Sequence, residues 1–175
     1  MFDRLIANGL SRFERAVGVP GSADYLRAIA GASKRAFVKF LLILPVARHR
    51  RTVSAPAYFA ARIAAVRAQD CGICVQMETN MARQHGVPPE TLRAVLEDRV
   101  DRLPPEVAAA QQFARAVAER TDNAGTLREQ VRQYFGEEGL VELALAVATA
   151  QVFPVTKRAL GYATSCALVD VAVEP

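Results

Sequence analysis

Two cysteines separated by two residues, Cys71 and Cys74, are the side chains best suited to chemistry. Residues three apart on a helix share one face, so two such thiols can close a disulfide after modest adjustment. At a helix start, unpaired N–H groups and the positive dipole end stabilise a thiolate, the form that attacks peroxides and disulfides. The spacing therefore predicts a redox-active pair. Position alone favours the thiolate at Cys71, whereas the adjacent Asp70 opposes it unless Arg67 offsets that charge.

A carboxylate continues the same helix face, because Glu78 lies one turn beyond Cys74. A carboxyl group beside a thiol can take and return its proton when burial keeps its pKa near neutral. The alternative interpretation is a solvated surface glutamate next to a pair of small buried thiols. Cys71, Cys74 and Glu78 are therefore the predicted catalytic residues.

A zinc site is the rival interpretation of the cysteine pair, and it requires two further ligands. His85 lies eleven residues past Cys74, which is about 16 Å along a helix and too far to share one metal on it. His49 is remote in sequence, and Cys166 is single and expected to be a small buried apolar residue. No phosphate-binding glycine loop, nucleophile elbow or His-Glu-x-x-His motif is present. We therefore expect no metal and no bound cofactor.

The elements that position these residues are predicted to be helical. The chain has 175 residues, is 51% hydrophobic and only 7% aromatic, and is rich in alanine, the best helix former. Capping residues and prolines predict helices over residues 22–45, 54–67, 70–86, 88–98, 104–120, 126–136 and 137–168, the last broken near Pro154. The N-terminal 20 residues form a further amphipathic segment. We expect one all-α domain over residues 1–175, a bundle of about seven to eight helices.

Composition excludes several classes of protein. High apolar content with a net charge of only +4 excludes disorder, and three cysteines cannot staple a chain of this length. No apolar run reaches the 18–20 residues of a membrane span, and the N-terminus has no signal-peptide core. The basic run at residues 48–51 is expected to be solvated rather than to bind nucleic acid. These features predict a cytoplasmic protein without membrane or nucleic-acid partners.

Alanine-rich helices bury little apolar area per residue, so a monomer of this composition would be thinly stabilised. We therefore expect a homo-oligomer in which apolar helix faces are buried between subunits, rather than a monomer with a small dense core.

Three segments together resemble the carboxymuconolactone decarboxylase-like superfamily, and specifically its alkylhydroperoxidase D-like branch. They are the apolar helix at residues 62–66, the Cys71-x-x-Cys74 pair at the next helix start, and the Ala-Arg-Gln-His-Gly-Val stretch at residues 82–87. Residues 138–143 also resemble that family's final helix. The resemblance covers residues 54–165.

The resemblance implies an all-α fold assembled as a dimer, trimer or hexamer, with a small hydroperoxide as substrate. It implies that Cys74 is oxidised to a sulfenic acid, that Cys71 resolves this to a disulfide, and that an external dithiol reductant protein restores both thiols.

Three positions depart from the pattern of the family's active members. Phe59 stands where they carry a glutamate, Glu78 where they carry a histidine, and Ile73 where a histidine is frequent. These departures leave an alternative open, in which the chain is a non-enzymatic all-α oligomer with a vestigial or redox-sensing cysteine pair.

Overall fold

The computed structural model describes residues 2–163, and every regular element in that range is helical. The elements are α1 (Phe2–Val17), α2 (Asp24–Ala32), α3 (Lys34–Leu41), α4 (Ile43–Ala47), α5 (Ala55–Arg67), α6 (Gly72–Gln84), α7 (Pro89–Leu96), a short 3₁₀ turn (Val100–Arg102), α8 (Pro105–Glu119) and α9 (Ala124–Ala159). The predicted all-α, single-domain helical bundle is confirmed. Cys166 lies outside the described residues.

Helix α5 is the centre of the bundle, since every residue from Ala57 to Val66 is buried. Helices α6, α7, α8 and α9 pack around it and together form the main core. A helix that is buried on all sides needs small side chains wherever its neighbours approach closely, and five of these ten positions on α5 are alanine. The alanine surplus therefore serves close packing within a single chain.

The N-terminal helices form a second, smaller core against the end of α9. Tyr25 of α2 meets Phe40 of α3 edge to face at 6.2 Å, and Phe40 meets Phe153 of α9 in the same way at 6.0 Å. Edge-to-face contacts of this kind stabilise aromatic clusters beyond simple burial. The second core thus joins α2 and α3 to the part of α9 that leads to Lys157.

Several predicted helix boundaries are wrong. The helix expected over residues 22–45 is divided into α2, α3 and α4, because Ser33 is extended and its hydroxyl accepts from the Ala36 N–H at 3.2 Å. Ala23, Cys71 and Asn123 directly precede α2, α6 and α9, whereas the predicted helices begin at residues 22, 70 and 126. The starts predicted at residues 54, 88 and 104 are the positions that directly precede α5, α7 and α8.

Helix α9 is broken at Gly136, where φ is +67°, and continues through Pro154 without ending. The predicted end at Gly136 is thus a local break within α9, and the helix expected to break near Pro154 continues to Ala159. Within the described range, α9 alone is long and apolar enough to span a membrane, with a mean hydropathy of 1.5. Its buried Leu140, Leu143 and Val147 belong to the main core, so α9 is a core helix of the bundle.

A buried glutamate of α9 fixes the chain that enters α5. Glu142 is fully buried, and its carboxylate accepts from the backbone N–H groups of Arg51, Thr52 and Val53 at 2.7, 2.8 and 3.0 Å. Burial raises the pKa of Glu142, but these three donors outweigh it, so the net pKa lies below the usual value. Glu142 thus holds the backbone of the exposed basic run in place and sets where α5 begins.

Candidate functional site

The cysteine pair lies at the start of α6, as predicted, and is closed as a disulfide. Cys71 precedes the first residue of the helix and Cys74 lies in its first turn, with their Cα atoms 5.3 Å apart. The Cys71 carbonyl accepts the first helical hydrogen bond, from the Val75 N–H at 3.0 Å. Only 6% of Cys71 and 5% of Cys74 are exposed, so the disulfide belongs to the main core rather than to the protein surface.

The loop before the pair is held by neighbouring helices. Arg67 donates to the carbonyls of Val95 and Leu96 at the end of α7, at 3.2 and 3.0 Å. The Gln69 side chain donates to the Gln151 amide oxygen of α9 at 2.9 Å, and Arg158 donates to the Gln69 carbonyl. The segment before α6 is therefore held by both α7 and α9, and α9 is far away in sequence.

A lysine that the sequence analysis did not select lies beside the disulfide. The Nζ of Lys157, in the last turn of α9, is 3.7 Å from the Cys74 Sγ and 3.9 Å from the Met77 Sδ. It also lies 5.2 Å from the centre of the Tyr25 ring, and only 3% of Lys157 is exposed. No carboxylate in the described part of the chain lies within 4 Å of it.

The electrostatics of Lys157 follow from this burial. Loss of hydration disfavours the ammonium form and lowers the pKa of Lys157 to about 8, although the charge of Asp24 acts in the opposite direction. Lysine is almost never fully buried without a partner. Lys157 is unusual because it is a buried amine whose polar contacts in the described structure are to two sulfur atoms.

Glu78 is buried one turn below Cys74, so its interpretation as a solvated surface residue is wrong. Its two carboxylate oxygens accept from the Nε and Nη2 of Arg62 on α5, at 2.8 and 2.5 Å. Arg62 also donates to the Ala47 carbonyl and the Thr149 hydroxyl. Desolvation lowers the pKa of Arg62, but the Glu78 carboxylate outweighs it and the net pKa is raised. Both oxygens of Glu78 accept from Arg62 and neither is seen to accept from a thiol, so a proton-transfer role for Glu78 stays a prediction.

Phe59 and His85, also singled out in the sequence, meet at the opposite end of α6 from the cysteine pair. Phe59 packs against the His85 ring, with ring centres 5.2 Å apart. His85 itself follows the last residue of α6, at the opposite end of the helix from Cys71. Residues 2–163 contain no group of three or more histidine, cysteine, aspartate or glutamate side chains that could hold a metal ion.

Two surface pockets of the described chain lie elsewhere. One, of about 400 Å³, lies between the end of α8 and the start of α9 around Arg115 and Asp122. The other, of about 510 Å³, lies between α1 and α2 around Asp3 and Lys34. Neither of these two pockets is lined by Cys71, Cys74 or Lys157.

The charged residues missed by sequence analysis left a weak signal. Arg62 interrupts the otherwise apolar α5, and Lys157 directly follows the longest uncharged stretch of the chain, at residues 143–156. A charge within an apolar stretch indicates a special environment, but spacing alone does not name the groups that surround it.

Comparisons with protein-family models, curated proteins and solved structures find no match to this chain.

Proposed function

We propose that this protein is a thiol-dependent oxidoreductase that reduces hydroperoxides through a Cys71–Cys74 dithiol/disulfide cycle. The observation that carries the proposal is the closed pair at the first turn of α6, whose Cα atoms are 5.3 Å apart. Two thiols at this distance can exchange two electrons without moving the backbone far. The resemblance to the alkylhydroperoxidase D-like branch supports the same assignment and is part of the proposal.

The proposed cycle has three steps, which are oxidation of Cys74, resolution by Cys71 and reduction by an external dithiol. The Cys74 thiolate attacks the terminal oxygen of a hydroperoxide; an S–O bond forms, the O–O bond breaks, and an alkoxide leaves and is protonated. The Cys71 thiol then attacks the Cys74 sulfenic acid, forming the disulfide and releasing water. An external dithiol donates two electrons and two protons to restore both thiols, and is itself oxidised to a disulfide.

The buried Arg62–Glu78 pair belongs to this proposal as a support for α6. It ties the helix that carries both cysteines to the central helix α5 through two hydrogen bonds. Phe59, at the position of the family's glutamate, packs on His85 and offers no proton acceptor. A proton relay of the family's type would therefore need another group.

The test is hydroperoxide turnover with purified protein. Reduced protein is mixed with cumene hydroperoxide and excess dithiothreitol, and hydroperoxide loss is followed against a protein-free control. We expect catalytic loss with wild type and none above background with Cys74→Ser. A Cys166→Ser variant serves as the matched thiol control and should keep wild-type turnover. Equal background rates for wild type and Cys74→Ser would refute the proposal.

Burial of the disulfide favours a second candidate, a redox-sensing or purely structural pair in a non-enzymatic protein. At 5–6% exposure, neither sulfur is freely open to a large partner. A disulfide that forms and is reduced reversibly, without hydroperoxide turnover, would support sensing. A disulfide that resists dithiothreitol until the protein unfolds would support the structural role.

A cytoplasmic homo-oligomer remains the proposed setting of this function. Val38 of α3, Leu42 between the two helices and Val46 of α4 are exposed, Leu42 by 67%, and contiguous exposed apolar side chains are the feature that marks subunit contacts. Light scattering coupled to size-exclusion chromatography should give a mass of at least two chains. A mass of 19.0 kDa would contradict it.

A further inference from the structure

We propose that Lys157 is the acid–base residue of the cysteine pair, taking the proton of the Cys74 thiol and returning it to the leaving oxygen. The proposal rests on the hydroperoxide chemistry proposed above and names the proton acceptor that chemistry needs. Its basis is the contact between the Lys157 Nζ and the Cys74 Sγ at 3.7 Å, inside the core. No contact of Lys157 with Cys71 accompanies it in the described structure.

The surroundings of Lys157 suit an amine that changes its charge. On α6 it faces Cys74 and the uncharged Met77 thioether, and on α2 it faces the Tyr25 ring, with the Asp24 carboxylate acting from a greater distance. Burial keeps the pKa of Tyr25 above its usual value, so this phenol is neutral over the working pH range. Burial brings the pKa of Lys157 to about 8, close to that of an ordinary thiol. A lysine with a lowered pKa is a suitable acceptor for a thiol proton, because its neutral form is accessible near neutral pH.

In each catalytic cycle, one proton passes from the Cys74 thiol to Lys157 and then to the leaving alkoxide. The neutral Lys157 amine takes the proton of the reduced Cys74 thiol, which leaves an ammonium–thiolate pair with no net charge. The thiolate attacks the hydroperoxide as described, and the alkoxide takes the proton back from the Lys157 ammonium. The amine is neutral again when Cys71 resolves the sulfenic acid. Burying a matched pair costs less than burying either ion alone, so this site favours the thiolate at Cys74 over that at Cys71.

The first experiment measures the thiolate without any peroxide. In a Cys71→Ser, Cys166→Ser background, Cys74 is the one remaining cysteine, and its thiolate is followed by absorbance near 240 nm and by iodoacetamide alkylation against pH. We expect Lys157→Met to slow alkylation at pH 7 about tenfold, the effect of about one pH unit in the titration midpoint. The matched control is Lys39→Met on the surface of α3, which should leave the rate unchanged. An equal alkylation rate in Lys157→Met and its parent would overturn the inference.

A second variant separates proton transfer from simple charge stabilisation. Lys157→Arg keeps a cation beside Cys74 but does not titrate, so it cannot take the thiol proton. We expect it to retain a low titration midpoint for Cys74 and to lower the single-turnover rate with cumene hydroperoxide at least tenfold. A wild-type rate in a folded Lys157→Arg protein would overturn the acid–base assignment.

Failure of this inference and failure of the proposed function give different results. If wild type turns over hydroperoxide but Lys157→Met does not change Cys74 alkylation, the function stands and the role of Lys157 is refuted. If Lys157→Met slows alkylation but wild type shows no hydroperoxide turnover, the Lys157–Cys74 coupling stands and the peroxidase proposal is refuted.

Discussion

Replacing Lys157 by methionine should stabilise the oxidised protein at neutral pH. The lysine carries a buried ammonium without a carboxylate within 4 Å in the described chain, and its pKa falls from 10.5 to about 8 on folding. A displacement of this size, at about 1.4 kcal/mol per pH unit, destabilises the charged native state by roughly 3 kcal/mol. Methionine has a similar length and no charge, so Lys157→Met should recover most of that free energy and raise the Tm by roughly 6 °C or more.

The free energy of unfolding of wild type should depend on pH through Lys157. Between about pH 8 and 10.5 the native state has already released the Lys157 proton while the unfolded chain still holds it. The unfolded state therefore binds more protons in this window, and the free energy of unfolding of wild type rises with pH there. The advantage of Lys157→Met should be full below pH 8 and should shrink towards pH 10.

The assay is urea unfolding of the oxidised proteins from pH 7 to pH 10, followed by circular dichroism. Lys39→Met, which removes an exposed lysine, is the matched control and should follow wild type at every pH. The buried Tyr25 phenol stays neutral in the native protein over this range, because burial raises its pKa, and it is present in all three proteins. A stability difference between Lys157→Met and wild type that is constant from pH 7 to 10 would show that the Lys157 charge is not the cause, and a variant less stable than wild type would show that the buried ammonium is not destabilising.

The other predictions concern the structural support of the site. Glu78→Gln leaves the Arg62 guanidinium buried without its counter-charge and should cost roughly 3 kcal/mol or more in urea unfolding; a cost under 1 kcal/mol would contradict the buried pair. Glu142→Gln should cost roughly 2 kcal/mol near pH 7, because three backbone donors lose an anionic acceptor. Since the pKa of Glu142 is lowered on folding, that difference should shrink as pH falls below about 4, and a pH-independent difference would count against it. Ser33→Ala removes the cap of α3 and should cost about 1 kcal/mol, whereas an unchanged urea midpoint would show that the cap contributes nothing.

Local features of the chain were predictable from sequence because they depend on neighbours a few residues away. Cys71 and Cys74 are brought together by one helical turn, and Pro56, Pro89 and Pro105 mark helix starts by their own backbone geometry. These features need no knowledge of which helices pack together.

The missed features are all tertiary. Lys157 is 83 residues from Cys74, and only the tertiary fold brings the last turn of α9 beside the first turn of α6. Glu142 meets the N–H groups of residues 51–53 across about 90 residues. The break at Ser33 was missed for a different reason, because apolar residues on both sides keep helical spacing and mask a capping residue of a common type. Spacing identifies which residues can react, whereas packing decides which groups assist them.

The central claim, that Cys74 is the thiol that attacks the hydroperoxide, is tested most directly by trapping its sulfenic acid. Reduced Cys71→Ser, Cys166→Ser protein is treated with one equivalent of cumene hydroperoxide in the presence of dimedone and mapped by peptide mass spectrometry. The matched Cys74→Ser, Cys166→Ser protein retains Cys71 alone. Our account predicts a dimedone adduct on Cys74 in the first protein and little or none on Cys71 in the second. An adduct on Cys71 but not on Cys74, or none on either, would contradict it.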